Sequence, residues 1–159
     1  MQANRWLHLL VFLAIVLLIQ WAGHKMTFVS VRDWYLTLQK PTWTPPAPVF
    51  GPVWAILYLS IAISGWLAWT RTNLCKIKRI AFFFYGSQLA ANLLWSYLFF
   101  SRKSPFMGLI DLSLLVILIG FNILYFLRLD KLSGFLLIPY FLWSLYALSL
   151  NFEIWRLNR

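Results

Sequence analysis

The sequence predicts an all-α integral membrane protein, a bundle of five transmembrane helices with a structured, aromatic and proline-rich loop between the first and second. Three observations carry this. Of 159 residues, 62% are hydrophobic and 11% charged, against roughly 45–50% and about 25% in an ordinary soluble domain. The apolar residues gather into runs of about 20, the length that crosses a ~30 Å hydrocarbon layer. The 14 Lys and Arg punctuate the ends of those runs. A soluble domain of ~150 residues buries only about 70% of its unfolded surface, too little to hide this much apolar area. Disorder is excluded by 10 Trp, 14 Phe and 7 Tyr, and a disulfide scaffold by Cys75, the lone cysteine. A net charge of +10 would suit nucleic acid, but these cations form no stripe. They read as anchors facing anionic headgroups, so the expected partner is membrane lipid and not nucleic acid.

The length fits one domain, residues 1–159. The first span is expected over 6–23, between Arg5 and Lys25. No small-x-small site follows it, so it reads as a span and not a cleaved leader. The second is expected over 50–70 and the third over 80–100. The fourth covers 105–127 with one acid, Asp111; the fifth covers 132–155 and contains Pro139. A membrane helix tolerates such a proline when neighbours satisfy the freed carbonyls. Strands are a poor alternative, because the runs lack the alternation of a membrane barrel. The connections Arg71–Arg79, Ser101–Ser104 and Arg128–Lys131 are short and basic, which makes neighbouring helices antiparallel. Seven cations fall on each face, so charge does not set the orientation.

The long connection, 24–49, is expected to be a lid. It holds Trp34, Tyr35, Leu36, Leu38 and Trp43, too aromatic for disorder. Asp33 is a fair N-cap for a short helix through Leu38, ended by Lys40-Pro41. Pro41, Pro45, Pro46 and Pro48 then stiffen the path into the second span.

No metal constellation is present: His8 and His24 lie at opposite ends of one span, and Cys75 has no partner. Either histidine could meet a haem, but a histidine near a helix end is more simply interfacial. The inward faces are more informative. Gln88, Asn92, Trp95 and Phe99 fall at i, i+4, i+7 and i+11 on the third span. Trp54 and Tyr58 stack one turn apart on the second. Pro139, Trp143, Tyr146 and Leu150 form a stripe on the fifth, with Tyr140 and Ala147 beside it. Trp6, Trp21, Trp66, Trp69 and Trp155 sit near span ends as an interfacial belt. Trp95 and Trp143 lie deeper and read equally as pocket wall or packing. Asp111 reads either as a polar anchor for a ligand or as a hydrogen-bonded tie between helices. Together these faces suit a flat apolar guest with a few polar atoms.

The stretch Asp33-Trp34-Tyr35, Leu38, Lys40-Pro41, Trp43, Pro45-Pro46 resembles the signature of the translocator protein family. Its bacterial members are called tryptophan-rich sensory proteins and its mammalian member the peripheral benzodiazepine receptor. The likeness continues through Pro52, Trp54, Tyr58, Gln88-Leu89, Asn92, Trp95, Asp111, Pro139-Tyr140, Trp143, Ala147 and Leu150-Asn151. The resemblance implies a dimeric five-helix bundle whose first loop covers a cavity. It implies a receptor for protoporphyrin IX, haem and planar synthetic ligands of the isoquinoline carboxamide and benzodiazepine type, with no cofactor required. By motif position, the implied ligand contacts are Tyr35, Trp54, Asn92, Trp95, Trp143, Ala147 and Leu150. In bacterial relatives, tryptophans matching Trp54 and Trp143 are linked to light-dependent porphyrin breakdown, which makes an enzyme the alternative function and a porphyrin or lipid transporter the second alternative. The family's sterol motif wants a Tyr where this chain reads Leu150-Asn151-Phe152-Glu153, so a bacterial-type member in a bacterial membrane is expected, with sterol binding in doubt.

Overall fold

The computed structural model describes residues 2–71 and 75–159, all of whose regular structure is helical. The elements are α1 (Gln2–Arg32), α2 (Trp34–Thr37), α3 (Ala47–Thr70), α4 (Cys75–Ser96) followed by a π-helical turn (Tyr97–Ser101), α5 (Pro105–Leu129), α6 (Lys131–Phe135) and α7 (Ile138–Leu157). Four stretches are long and apolar enough to cross a membrane: Arg5–Arg32, Ala47–Thr70, Pro105–Leu129 and Lys131–Leu157. Their outward faces carry the apolar residues a soluble protein would bury, with Leu18 65% and Ile56 68% exposed. This is an integral, multi-pass membrane protein.

Three expected boundaries move. The first helix does not stop at Gly23: it runs through His24–Arg32, so the loop expected over 24–49 begins only at Asp33. The polar His24 and the cationic Lys25 end the apolar run, but nothing there breaks a helix; the first proline is Pro41. At 31 residues α1 is about 46 Å long, more than a bilayer core requires. The third expected span likewise starts earlier, at Cys75; residues 72–74 of the expected Arg71–Arg79 connection and the Cys75 side chain lie outside the described set. The connection expected at Arg128–Lys131 shrinks to Asp130, which accepts from the Ser133 N–H at 2.8 Å and so caps α6.

The fifth expected span is divided. Pro139 cannot donate to the Phe135 carbonyl and its ring crowds that turn, so the helix breaks at Leu136–Leu137 and restarts with proline in its first turn. The backbone oxygens at the break find partners on α3: the Ser64 hydroxyl donates to the Ser133 carbonyl at 2.6 Å and the Ser60 hydroxyl to the Leu136 carbonyl at 2.5 Å. Gly134 lets α6 lie close against the end of α5, because a Cβ there would sit 2.5 Å from Leu127 Cγ.

Around the bundle α3 packs on α1, α1 on α4, α4 on α5 and α5 on α7, while α3 meets α4 and α7 only sparingly. Toward the Thr70 end the interior is solid, filled by Phe12, Ile61, Ala62, Phe82, Tyr85 and Phe126. Gly65 admits the Tyr85 ring there, whose Cζ would lie 2.8 Å from any added Cβ. Toward the other end the helices stand apart, and the segment after α1 crosses the gap.

Candidate functional site

That gap is a cavity of about 470 Å³, inside the range of ligand pockets. Its walls come from four of the long helices and its cover from the lid, residues 33–46. From α1 come Gln20, Gly23, His24, Thr27 and Val31; from α3, Phe50, Gly51, Trp54 and Tyr58. α4 and its π turn give Asn92, Trp95, Ser96, Phe99 and Phe100, and α7 gives Trp143, Ala147, Leu150, Asn151 and Ile154. Tyr35, Leu36, Lys40, Thr44 and Pro45 face it from the lid.

The floor is a chain of hydrogen bonds. The Tyr58 hydroxyl donates to Asn92 Oδ1, and Asn92 Nδ2 donates to the Tyr140 hydroxyl at 3.1 Å. One side chain thus ties α3, α4 and α7 together at 3% exposure, and an amide group with two N–H donors keeps one for a guest. The wall is fixed in the same way. Trp95 Nε1 donates to Asn151 Oδ1 at 3.0 Å, and Asn151 Nδ2 donates to the Pro105 carbonyl at 2.7 Å. The indole edge is therefore engaged and its face is held in place, stacked on Phe99 with centroids 5.4 Å apart. Trp54 leans on Tyr58 at 5.4 Å and Trp143 on Phe50 at 6.0 Å. Rings pinned before a guest arrives cost little ordering on binding.

The lid is seated at both ends. Trp34 and Tyr35 pack edge-on against Phe99, at 5.6 and 6.2 Å. The π turn presents that platform, and the Ser30 hydroxyl of α1 donates to its Phe100 carbonyl at 2.8 Å. Farther along, Tyr146 donates to the Trp43 carbonyl at 2.9 Å, and Asn158 bonds both the N–H and the carbonyl of Gln39 at 2.9 Å. The expected short helix is present, but Asp33 does not cap it with its side chain; its carboxylate lies 3.7 Å from Lys103 Nζ instead. Burial pushes the Tyr35 hydroxyl above its ordinary range, with Tyr146 adding to the effect, so Tyr35 is neutral at physiological pH.

The residues singled out in the sequence separate cleanly. Tyr35, Trp54, Asn92, Trp95, Trp143, Ala147 and Leu150 all face the one cavity. Asp111 does not: it is buried on α5, 4% exposed, with Oδ2 lacking a hydrogen-bond partner among the described residues. Because α5 packs behind α4 and α7, its side chains do not reach the wall. Gln88 faces inward as expected but below the cavity lining, buried at 1% with both amide atoms lacking a hydrogen-bond partner among the described residues, and Tyr146 turns to the lid. The contribution of α1 was missed, although its signal exists: Gln20, His24, Thr27 and Val31 fall at i, i+4, i+7 and i+11. The expected end at Gly23 cut that stripe in half.

Comparison with known proteins agrees with the motif reading. The TspO/MBR family model matches residues 11–156. The chain is 41% identical to the "Tryptophan-rich protein TspO" of Archaeoglobus fulgidus, covering 90% of this chain and 92% of that one. It is 36% identical to the protein of the same name from Chlorobaculum tepidum, with 92% of each chain covered. It is 31% identical to the human "Translocator protein", over 86% of this chain and 81% of that one. With nearly its whole length matched, the chain belongs to the TspO/MBR family.

Proposed function

We propose that this protein is a membrane receptor for porphyrins, protoporphyrin IX and haem among them, and for similarly planar apolar ligands. The supporting observation is the cavity itself: about 470 Å³, walled by Trp54, Trp95 and Trp143, floored by Asn92 and covered by Tyr35 of the lid. Indole faces stack on a planar π-system, worth about 0.5–1.5 kcal/mol per pair beyond area burial. No cofactor is needed for such binding. In this reading α4 is a fifth crossing, its Gln88 and Asn92 shielded inside the bundle. The host membrane is bacterial, in line with the higher identity to the Chlorobaculum tepidum relative than to the human one. The receptor works as a homodimer through the exposed α4 stripe Phe83, Gly86, Ala90, Leu94 and Tyr97, whose small residues permit close helix approach. The test is titration of the detergent-solubilised protein with protoporphyrin IX, following tryptophan quenching. Saturable quenching in the micromolar range is expected, weakened by Trp54→Ala and by Trp143→Ala. Unchanged tryptophan emission would exclude the reading.

A second reading, light-driven porphyrin degradation, has its own support in the placement of Trp54 and Trp143 on the same cavity. Illumination of the complex in air decides it: loss of the porphyrin absorbance should vanish in the double variant Trp54→Phe/Trp143→Phe. Breakdown at the wild-type rate in that variant rules out a role for these indoles.

A further inference from the structure

The chain has four acids, and none is available to the cavity. Asp33 pairs with Lys103 at 3.7 Å, Asp130 with Arg71 at 3.1 Å and Glu153 with Arg156 at 2.7 Å. The fourth, Asp111, is buried on α5 away from the lining. Lys40, on the lid, is the single Lys or Arg lining the cavity among the described residues. It is half-buried, its Nζ donates to the Leu38 carbonyl at 3.0 Å, and it lies 4.7 Å from the Tyr35 ring centroid. An ammonium group has three N–H donors, so two remain. The neighbouring phenol of Tyr35 stays protonated and supplies no counter-charge.

Other polar groups line the same cavity. The hydroxyl protons of Thr27 and Thr44 are committed to the carbonyls of Gly23 and Pro41, which leaves these oxygens as acceptors. Gln20 and His24, which make no hydrogen bond among the described residues, each bring both donor and acceptor capacity to the lining. Among the described residues, the cavity lining therefore carries a cation at Lys40 and no carboxylate. A half-buried cation favours an opposite charge more strongly than the same group in bulk water.

We propose that the cavity selects ligands with an acidic edge and that Lys40, carried on the lid, holds a ligand carboxylate. This rests on the porphyrin reading and deepens it: the planar ring lies against the tryptophans and its carboxylate side chain points to the lid. Ligand charge then helps to keep the lid down, since the residue that meets it belongs to the cover and not to the walls.

The experiment compares protoporphyrin IX, a diacid, with its uncharged dimethyl ester, titrated into detergent-solubilised wild-type protein, Lys40→Gln and Lys40→Arg. Wild type should bind the diacid about tenfold or more tightly than the ester. Lys40→Gln should bring the diacid down to the level of the ester and leave the ester unchanged, while Lys40→Arg keeps most of the preference. Equal binding of both forms by wild type, as expected if Lys40 serves only a lipid headgroup phosphate, overturns the proposal and leaves the porphyrin reading intact. So does a preference that survives Lys40→Gln, or a Lys40→Gln variant that loses both forms alike. If wild type binds neither form, the porphyrin reading falls and takes this proposal with it.

Discussion

The two ends of the bundle use aromatic residues in opposite ways. Toward Thr70, Phe12, Phe82, Tyr85 and Phe126 meet one another at 5.5–5.9 Å and leave no room. Toward the lid, Trp54, Trp95 and Trp143 each rest on two aromatic neighbours and still face open space. The difference lies in what fixes each ring. In the solid half, glycine allows ring against backbone, as where Gly65 receives Tyr85. In the open half, hydrogen bonds hold the walls apart, with Asn92 spanning three helices and Asn151 bracing Trp95. Stability should therefore depend on the first half and binding on the second.

The strongest way to break that division is Phe126→Ala. The ring is fully buried, and its removal should cost about 3–5 kcal/mol, read as a large fall in Tm. Trp54→Ala, at a half-buried wall position, should cost less stability and more porphyrin affinity. A reversal of that order would mean that the cavity wall is core.

Next comes Gly65→Ala. Its new Cβ would lie 2.8 Å from Tyr85, whose ring cannot retreat because its hydroxyl is bonded to the Ile61 carbonyl at 3.2 Å. Overpacking of this kind costs about 1–3 kcal/mol. The matching change in the open half, Gly51→Ala, meets nothing within 4 Å and should be neutral or stabilise α3 by up to about 1 kcal/mol. Thermal unfolding of the pair in one detergent measures the contrast.

Much of this contrast was legible in the sequence, because side-chain period reports helix faces well. The spacing of Asn92, Trp95 and Phe99 marked one wall, and that of Trp143 and Leu150 marked another. Hydropathy is a poorer guide to helix ends, since it follows the hydrocarbon boundary and not the backbone. That is why α1 continues nine residues past its expected limit and why its share of the cavity went unseen. Asp111 misled for a related reason: an acid within an apolar run shows that a helix is buried on that side, but not what it faces. Nor could period reveal the break before Pro139, which depends on the hydroxyls of Ser60 and Ser64 arriving from α3.

A smaller effect sharpens the comparison at the lid. Asn158→Ala removes both hydrogen bonds to Gln39, about 1 kcal/mol each, at an exposed site remote from the solid half. Amide exchange should quicken at Gln39 and through the lid, while the Tm of the bundle stays within about 1 °C. Faster exchange in α3 or α4 as well would mean that the lid and the bundle open together.

The most direct measurement fills the cavity without touching the solid half. Ala147 faces the open space from α7, so Ala147→Trp should occupy the volume a planar guest needs. The variant should be a folded protein with wild-type or higher Tm whose tryptophan emission no longer responds to protoporphyrin IX. Porphyrin binding of wild-type strength by that folded variant would contradict this expectation.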